Sequence, residues 1–504
     1  MTIPTQLYAC IYAKELPLQA MLRLRPELRG RPCAVTQGEP PLRSVCSCNT
    51  SARRLGVVPG MTQVEIDTLP SVTVLHRSHA EEQTAKYALL ECASAISPRI
   101  ENRVEDRAFI CVLDIAGTEK LFGTPPLLAK TLRERIAAIG IESSIAISGN
   151  FHAAICLARG SSSRMNATIV ASGDEGAALA PLPLEVLNLS QQIAETFSLW
   201  GIRILGMLAA LPEKALIARM GQEGKRLRQL ARGELPHLLQ PLEPAFALEE
   251  NMQLDTPVEL LDSLLFAVGV MLDQLITRAT ARILALSSVT ITLKLEGDRT
   301  HARRVRPALP TNDRLLWIKL LHLDLEAHPP QAAILSLTLA AETGSPSKLQ
   351  LGLFSPQLPE PMRLDVTMAR IRAVVGEERV GSPILKDSHR PDDFRMSPFA
   401  VPTGSAKSLS PNRSIAAMRQ LRPAEDVAVT LHAHRPISFF FREVRYTVER
   451  AYGPWLAGGE WWNQHRWRLQ QWDLVARSHQ GSTLCCCLVR DLSQNCWRMV
   501  RLYD

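Results

Sequence analysis

The chain has 504 residues, of which 46% are hydrophobic, 21% charged and 5% aromatic, and it carries a formal charge of +7. At about 100–200 residues per domain, that length asks for three or four domains, and the hydrophobic fraction excludes global disorder. The mild positive charge permits contact with nucleic acid without demanding it. The most apolar stretch, Leu264 to Ile276, is short for a bilayer span and carries Asp273. The first residues lack the pattern of a secretion signal, and eleven cysteines, several inside apolar runs, read as buried thiols of a reducing cytoplasm.

Gln6 to Tyr12 is a β-rich apolar run without helical period and predicts a buried strand. A helix is expected over Leu18 to Leu28, a short strand at Pro32 to Val35, and a helix start over Asn49 to Leu55, closed by Gly56 and Pro59-Gly60. Glu81 to Ile96 predicts a long amphipathic helix. The polar stretch Glu101 to Arg107 reads as the turn before the strand Phe109 to Ile115. A helix over Pro125 to Ala138 and a strand over Ser144 to Ser148 complete an α+β domain within residues 1–170.

Residues 183–235 change to short helices split by glycines, at Gly201 and Gly206 and again at Gly221 and Gly224. Tandem glycine-turned helical hairpins suit a phosphate backbone, because glycine allows close approach and exposed helix amides face the anion. Five bases and one acid lie between Arg219 and Gly233, which makes Lys225, Arg226 and Arg228, with Arg203 of the first hairpin, the candidate phosphate contacts. Over residues 243–345, helices at Val258 to Ala281 and Arg314 to Leu323 alternate with strands at Ser288 to Leu295 and Ala332 to Ala340, a small split β-α-β unit. Residues 355–426 hold 9 of the 34 prolines and read as a linker with a helical island near Met368 to Gly376. From Val427 the chain is β-rich, all ten of its basic residues are arginine, and six of the eight tryptophans lie in the last fifty residues. Trp461, Trp462, Trp467 and Trp497 are the candidate partner anchors, since tryptophan and arginine dominate interface hot spots. Cys485-Cys486-Cys487 lacks zinc-site spacing and reads as a buried strand.

The order of these pieces over residues 5–345 resembles the Y-family of translesion DNA polymerases: palm and fingers (1–170), helix-hairpin-helix thumb (183–235) and little finger (243–345). The local anchors are Asn49-Thr50-Ser51-Ala52-Arg53 with Gly56-Val57, Val112-Leu113-Asp114-Ile115, and Ala146-Ile147-Ser148-Gly149-Asn150. Two-metal nucleotidyl transfer needs several converging carboxylates as hard oxygen ligands. The resemblance places the metal-binding acids at Cys10, Tyr12, Phe109 and Ile110, where this chain has none. It places phosphate-gripping groups at Thr50, Phe151 and Ile155, while Arg53 is retained. What this implies is a degenerate polymerase with no metal and no cofactor. The alternative is an active polymerase with relocated carboxylates, drawn from Glu105-Asp106 with Asp114 and Glu119.

Gln350, Leu351, Leu353 and Phe354, at the head of the linker and clamp-binding segment 346–426, resemble the peptide by which bacterial polymerases dock on the β sliding clamp. With the Gly458-Gly459-Glu460-Trp461-Trp462 element and the Leu502-Tyr503-Asp504 terminus in the region 427–504, nearly the whole chain resembles the catalytically inactive, polymerase-like proteins of bacterial mutagenesis cassettes. That resemblance implies a cytoplasmic, nucleoid-associated adapter. Its expected partners are primer–template DNA, the β clamp, an error-prone C-family polymerase α subunit and a RecA-like protein of the ImuA type, with no membrane.

Overall fold

The computed structural model describes residues 6–161, 167–243, 246–307, 309–345, 361–376, 379–387, 393–397, 418–459 and 466–503. They fall into two compact units, residues 1–373 and 374–504. The first unit opens with β1 (Tyr8–Lys14) and α1 (Leu16–Leu22), followed by a small lobe of β2 (Cys33–Gln37), β3 (Ser44–Cys48), α2 (Thr50–Arg54), α3 (Gln63–Asp67) and β4 (Thr73–His76). The chain then runs through α4 (His79–Ser94), β5 (Ile100–Val104), β6 (Ala108–Asp114), α5 (Glu119–Phe122), α6 (Pro125–Ala138), β7 (Ser144–Ser148), α7 (Phe151–Gly160) and β8 (Thr168–Ile169). The main sheet has the order β5-β6-β1-β7-β8, and β3-β2-β4 is a separate three-stranded sheet.

Both faces of the main sheet are covered. Ala9, Ile11, Phe109 and Cys111 pack toward α4 and α6, whereas Cys10, Ile110, Val112 and Ala146 pack toward α7. The run Glu101 to Arg107 is not a simple turn: Ile100 to Val104 pairs with Leu113 to Phe109 as an edge strand. Its alternation of Ile100, Asn102 and Val104 with charges was masked by that polarity. Helix α7 is also absent from the sequence reading. Its apolar residues run nearly all round, the pattern of a helix buried on two sides, and the Asn150 carboxamide caps it by accepting the His152 and Ala153 amides at 3.0 Å each.

Next come α8 (Glu175–Leu179), α9 (Gln191–Leu199), α10 (Leu205–Ala210) and α11 (Glu213–Arg232), whose apolar faces join the α7 side of the sheet in one core. The following strands and helices are β9 (Leu248–Val258), α12 (Leu261–Ala281), β10 (Ala285–Leu295), β11 (Arg299–Val305), α13 (Arg314–Ala327) and β12 (Ile334–Gly344). This β-α-β-β-α-β run folds into a sheet of order β11-β10-β12-β9 with both helices on one face. Helix α12 starts three residues later than the expected Val258, because Val258 closes β9. It is apolar enough to cross a membrane by composition, and Val268, Met271, Leu272 and Leu275 are fully buried against the sheet.

Where β9 and α12 meet α1 and α4, the seam is ionic. Glu250 receives hydrogen bonds from Arg23 at 2.6 Å and Arg278 at 2.8 Å, and Arg278 also reaches Glu91 at 2.6 Å. Arg25 donates to Glu81 at 2.8 Å, and the same carboxylate accepts the Gln253 amide at 2.9 Å. All six of these charged side chains are buried.

In the stretch read as linker, α14 (Pro361–Val375) lays Val366 and Ala369 on the β9–β12 core, and β13 (Ser382–Leu385) pairs with β14 (Phe394–Ser397). The second unit holds β15 (Met418–Asp426), β16 (Ala428–His432), β17 (Arg435–Phe441), β18 (Val444–Gly459), β19 (Trp467–Ser478), β20 (Thr483–Asp491) and β21 (Cys496–Tyr503). The sheet therefore begins nine residues before Val427. Its order, β15-β21-β20-β19-β18-β17-β16, puts β15 and β16 at opposite edges, yet only Val427 separates them in sequence. Two residues that close cannot lie at the far ends of a flat sheet, so the sheet is rolled, with Phe439, Trp472, Leu474, Leu488 and Met499 inside.

Candidate functional site

The front of the main sheet, the α7 side, is where the sequence expected its degenerate site. Cys10 lies mid-strand on β1, opposite Val112 of β6 and Ala146 of β7, and Tyr12 lies opposite Ile110. Cys10 and Ile110 share one apolar cluster with Phe151 and Ile155 of α7, and none of the four is more than 4% exposed. Four positions at which the resemblance expects two carboxylates and two cations thus do come together, as sulfur and hydrocarbon. Burial raises the Cys10 thiol well above its ordinary pKa, so it stays protonated and is a poor ligand for a hard cation.

Phe109 does not join them, which corrects the expectation of convergence. Consecutive strand residues point to opposite faces, and Phe109 packs with Ile11 and Leu113 on the α4 and α6 side. Tyr12 is half-buried at the margin, close to an ion pair between Arg159 and Glu105.

Three of the four acids proposed as substitutes are already engaged. Besides Glu105 with Arg159, Asp106 accepts from Arg77 at 2.9 Å, and that hydrogen bond holds its carboxyl below the usual carboxylate range. Asp114 sits 2.9 Å from Arg99 and accepts the Ala116 amide. Glu119 is exposed in the first turn of α5. The retained Arg53 is bound by Glu15, whose carboxylate also accepts from the Ser47 hydroxyl at 2.7 Å, while Thr50 opens α2.

Sequence reasoning missed a strap across this front. The segment leading from α11 to β9 places His237 on Phe151, rings stacked at 3.7 Å, with His237 Nε2 2.8 Å from Glu101. The Asn150 carboxamide donates to the Leu235 carbonyl at 3.0 Å, and Leu239 is buried in the same cluster. The unexpected Phe151-His152 pair opening a helix was the available signal.

In the thumb-like region Gly201 (φ 70°) turns the chain from α9 to α10, and Gly221 (φ 62°, ψ −149°) breaks α11 into two helical halves. Both are open to solvent, with no atom close to where a Cβ would stand. Gly206 and Gly224 are different: a Cβ would come within 3.0 Å of the Ala180 carbonyl or 2.8 Å of the Leu216 carbonyl, so these glycines serve helix packing. Arg203 is exposed. Lys225 lies 3.8 Å and Arg228 3.3 Å from Glu213, and Arg226 pairs with Glu223 at 2.6 Å, so the basic stretch is partly neutralised from within.

Gln350, Leu351, Leu353 and Phe354, like Trp461 and Trp462, lie outside the described residues. Trp467 is 8% exposed and lies under Gly459, where a Cβ would meet the indole at 3.0 Å; it belongs to the sheet's packing, not to an exposed anchor set. Trp497 is half-buried with the Arg490 guanidinium 5.7 Å above its ring. Trp455, which the sequence did not single out as an anchor, is 49% exposed.

A sheet with a fingers-like lobe, a glycine-turned helical thumb and a β-α-β-β-α-β unit, in that chain order, define a polymerase-like α+β architecture of the Y-family type. Residues 11–159 match the impB/mucB/samB family. Over 415 residues the chain is 24% identical to Protein ImuB of Caulobacter vibrioides, covering 81% of this chain and 89% of that protein. It is 31% identical over 216 residues to DNA polymerase IV of Dehalococcoides mccartyi, a match spanning 42% of this chain and about half, 54%, of that relative. Among solved structures, DinB from Sulfolobus solfataricus aligns over 68% of this chain and 100% of its own at 14% identity, with a TM-score of 0.40.

Proposed function

We propose that this chain is a non-catalytic adapter of DNA-damage-induced mutagenesis, which holds DNA and the sliding clamp and brings in the polymerase that performs synthesis. The observation that carries this reading is the apolar filling of the front by Cys10, Ile110, Phe151 and Ile155. Two metal ions need several oxygen ligands and room between them. Here the site has neither, and every nearby acid except the exposed Glu119 is held by an arginine, a histidine or a backbone amide. Likeness to Protein ImuB over four-fifths of the chain supports a role in mutagenesis, whereas the DNA polymerase IV match spans 42% of this chain.

In this reading the turns at Gly201 and Gly221 and the side chains of Arg203, Lys225 and Arg226 meet the DNA backbone. Gln350 to Phe354 engages the β clamp. The tail beyond Val427 recruits the C-family polymerase α subunit and an ImuA-type RecA-like protein. Primer extension by the purified chain with Mg²⁺ or Mn²⁺ tests the central claim. No template-dependent incorporation is expected. Extension that disappears in Glu105→Gln/Asp106→Asn would establish an active polymerase instead. Clamp retention by the native chain and by Leu353→Ala/Phe354→Ala tests the docking, and equal retention of both removes it.

A further inference from the structure

Strand β18 is sixteen residues long, yet β17 pairs with it only from Val444 to Thr447. Strand β19 covers the other edge from Tyr446 through Gly459. Beyond Thr447, therefore, one edge of β18 presents backbone N–H and C=O groups with no strand beside it among the described residues. The first part of this edge is guarded. Irregularities between Val448 and Arg450 and between Tyr452 and Trp455, together with Pro454, interrupt its ladder, which is how sheets protect free edges.

No such device interrupts Trp455 to Gly459. These residues run in unbroken register against Gln471 to Trp467, and Trp455 (49%) and Leu456 (70%) are exposed large apolar side chains on a free edge. Gly458 and Gly459 let the strand lie close on β19, since a Cβ at either would come within 3.1 Å of Trp467. Arg450, Arg466 and Arg468 are exposed around this arm and have no carboxylate within ion-pair distance among the described residues. Of the acids in register, Asp473 opposite Tyr452 accepts from the Tyr503 hydroxyl at 2.9 Å, and Asp491 opposite Leu469 accepts the Ser493 and Gln494 amides.

We propose that Trp455–Gly459 is the landing edge for an extended segment of a partner protein, apolar in its side chains and acidic at its flanks, which adds a strand to the rolled sheet. The unpaired ladder decides the class of partner. Alternating N–H and C=O groups are satisfied by another polypeptide strand, with apolar side chains meeting Trp455 and Leu456 and acids meeting the arginines. A nucleic-acid strand would use the same aromatics and arginines and leave the ladder unmet. The proposal rests on the adapter reading, in which the segment belongs to the C-family polymerase α subunit.

Hydrogen exchange of the full chain, with and without purified α subunit, tests it. The amides of Trp455 to Gly459 should slow about tenfold or more on complex formation, as expected for ladder formation. Leu456→Glu should weaken α-subunit binding about tenfold, the effect of a charge in an apolar contact. Leu456→Glu/Ala457→Pro should abolish it, and unchanged exchange of the β19–β20 ladder amides in both variants is the check on folding. If the α subunit binds while exchange at these amides is unchanged, the edge is wrong and the adapter reading stands. Protection of the same amides by oligo(dT) and not by the α subunit overturns the peptide proposal. Failure of the native chain to bind the α subunit at all removes the adapter reading together with this site.

Discussion

The front of the main sheet and the seam between that sheet's helices and the β9–α12 unit allot charge in opposite ways. At the front, where the sequence resemblance expects carboxylates and cations, the chain supplies Cys10, Ile110, Phe151 and Ile155, none more than 4% exposed. At the seam, two packed surfaces could have been apolar, and the chain supplies three arginines and three glutamates, all buried. The front is ordinary apolar core, where stability comes from packing. The seam's charges gain little net stability, because desolvation offsets attraction. They do penalise any other docking angle, since a shifted Glu250 would leave Arg23 and Arg278 buried without a partner.

The sharpest way to break this contrast is to put the acids back. Cys10→Asp with Ile110→Glu buries two carboxylates among hydrocarbon with no designed cation, at a cost of several kcal/mol each. Loss of more than about 5 kcal/mol is expected in urea unfolding, enough to unfold a marginally stable unit. No Mg²⁺ binding should appear by calorimetry. A folded variant that binds Mg²⁺ would mean that the front opens readily and that its apolar filling is incidental.

The seam responds to the opposite change. Glu250→Ala strands Arg23 and Arg278 and should cost about 3–5 kcal/mol, the penalty of an uncompensated buried charge. Replacing all three together, Arg23→Met/Glu250→Leu/Arg278→Met, should recover most of that loss, because the desolvation cost disappears with the charges. If Glu250→Ala alone is neutral, the seam is open to water and its ion pairs are those of an ordinary surface.

The two regions also differ in how far the sequence disclosed them. The uncharged character of Cys10 and Ile110 is readable from residue identity, and α6 and β7 were expected with the bounds they have, because proline caps and apolar periods are local signals. Phe109 was misplaced because register matching assigns positions along a strand without asking which face each one takes. Strands β5 and β9 went unread because edge strands with one solvated face carry as many charges as loops do. The seam was invisible for a different reason. Arg23 and Glu250 stand 227 residues apart, and nothing local distinguishes an arginine bound for burial from one bound for solvent. The early start of the rolled sheet at Met418 was hidden by proline and polar composition, which edge strands tolerate.

The smallest expected effect tests how dry the front is. His152 follows Phe151 at the start of α7, near His237, Arg103 and Arg226, with Glu101 the opposing acid. Burial first, and the Arg103 guanidinium second, push its pKa down from 6.5 to about 4. Folded protein therefore keeps His152 neutral between those values while the unfolded chain takes up a proton. Its contribution to stability is complete above pH 6.5 and is lost as the pH falls toward 4, about 2 kcal/mol of it by pH 5. Other groups titrate in the same window, so the quantity to measure is the difference between wild type and His152→Leu in urea unfolding at pH 7 and pH 5. The wild type should lose about 2 kcal/mol more than the variant across that interval. Equal losses would mean that His152 titrates as if in water, and the strap formed by His237 and Leu239 would then not be sealing the front.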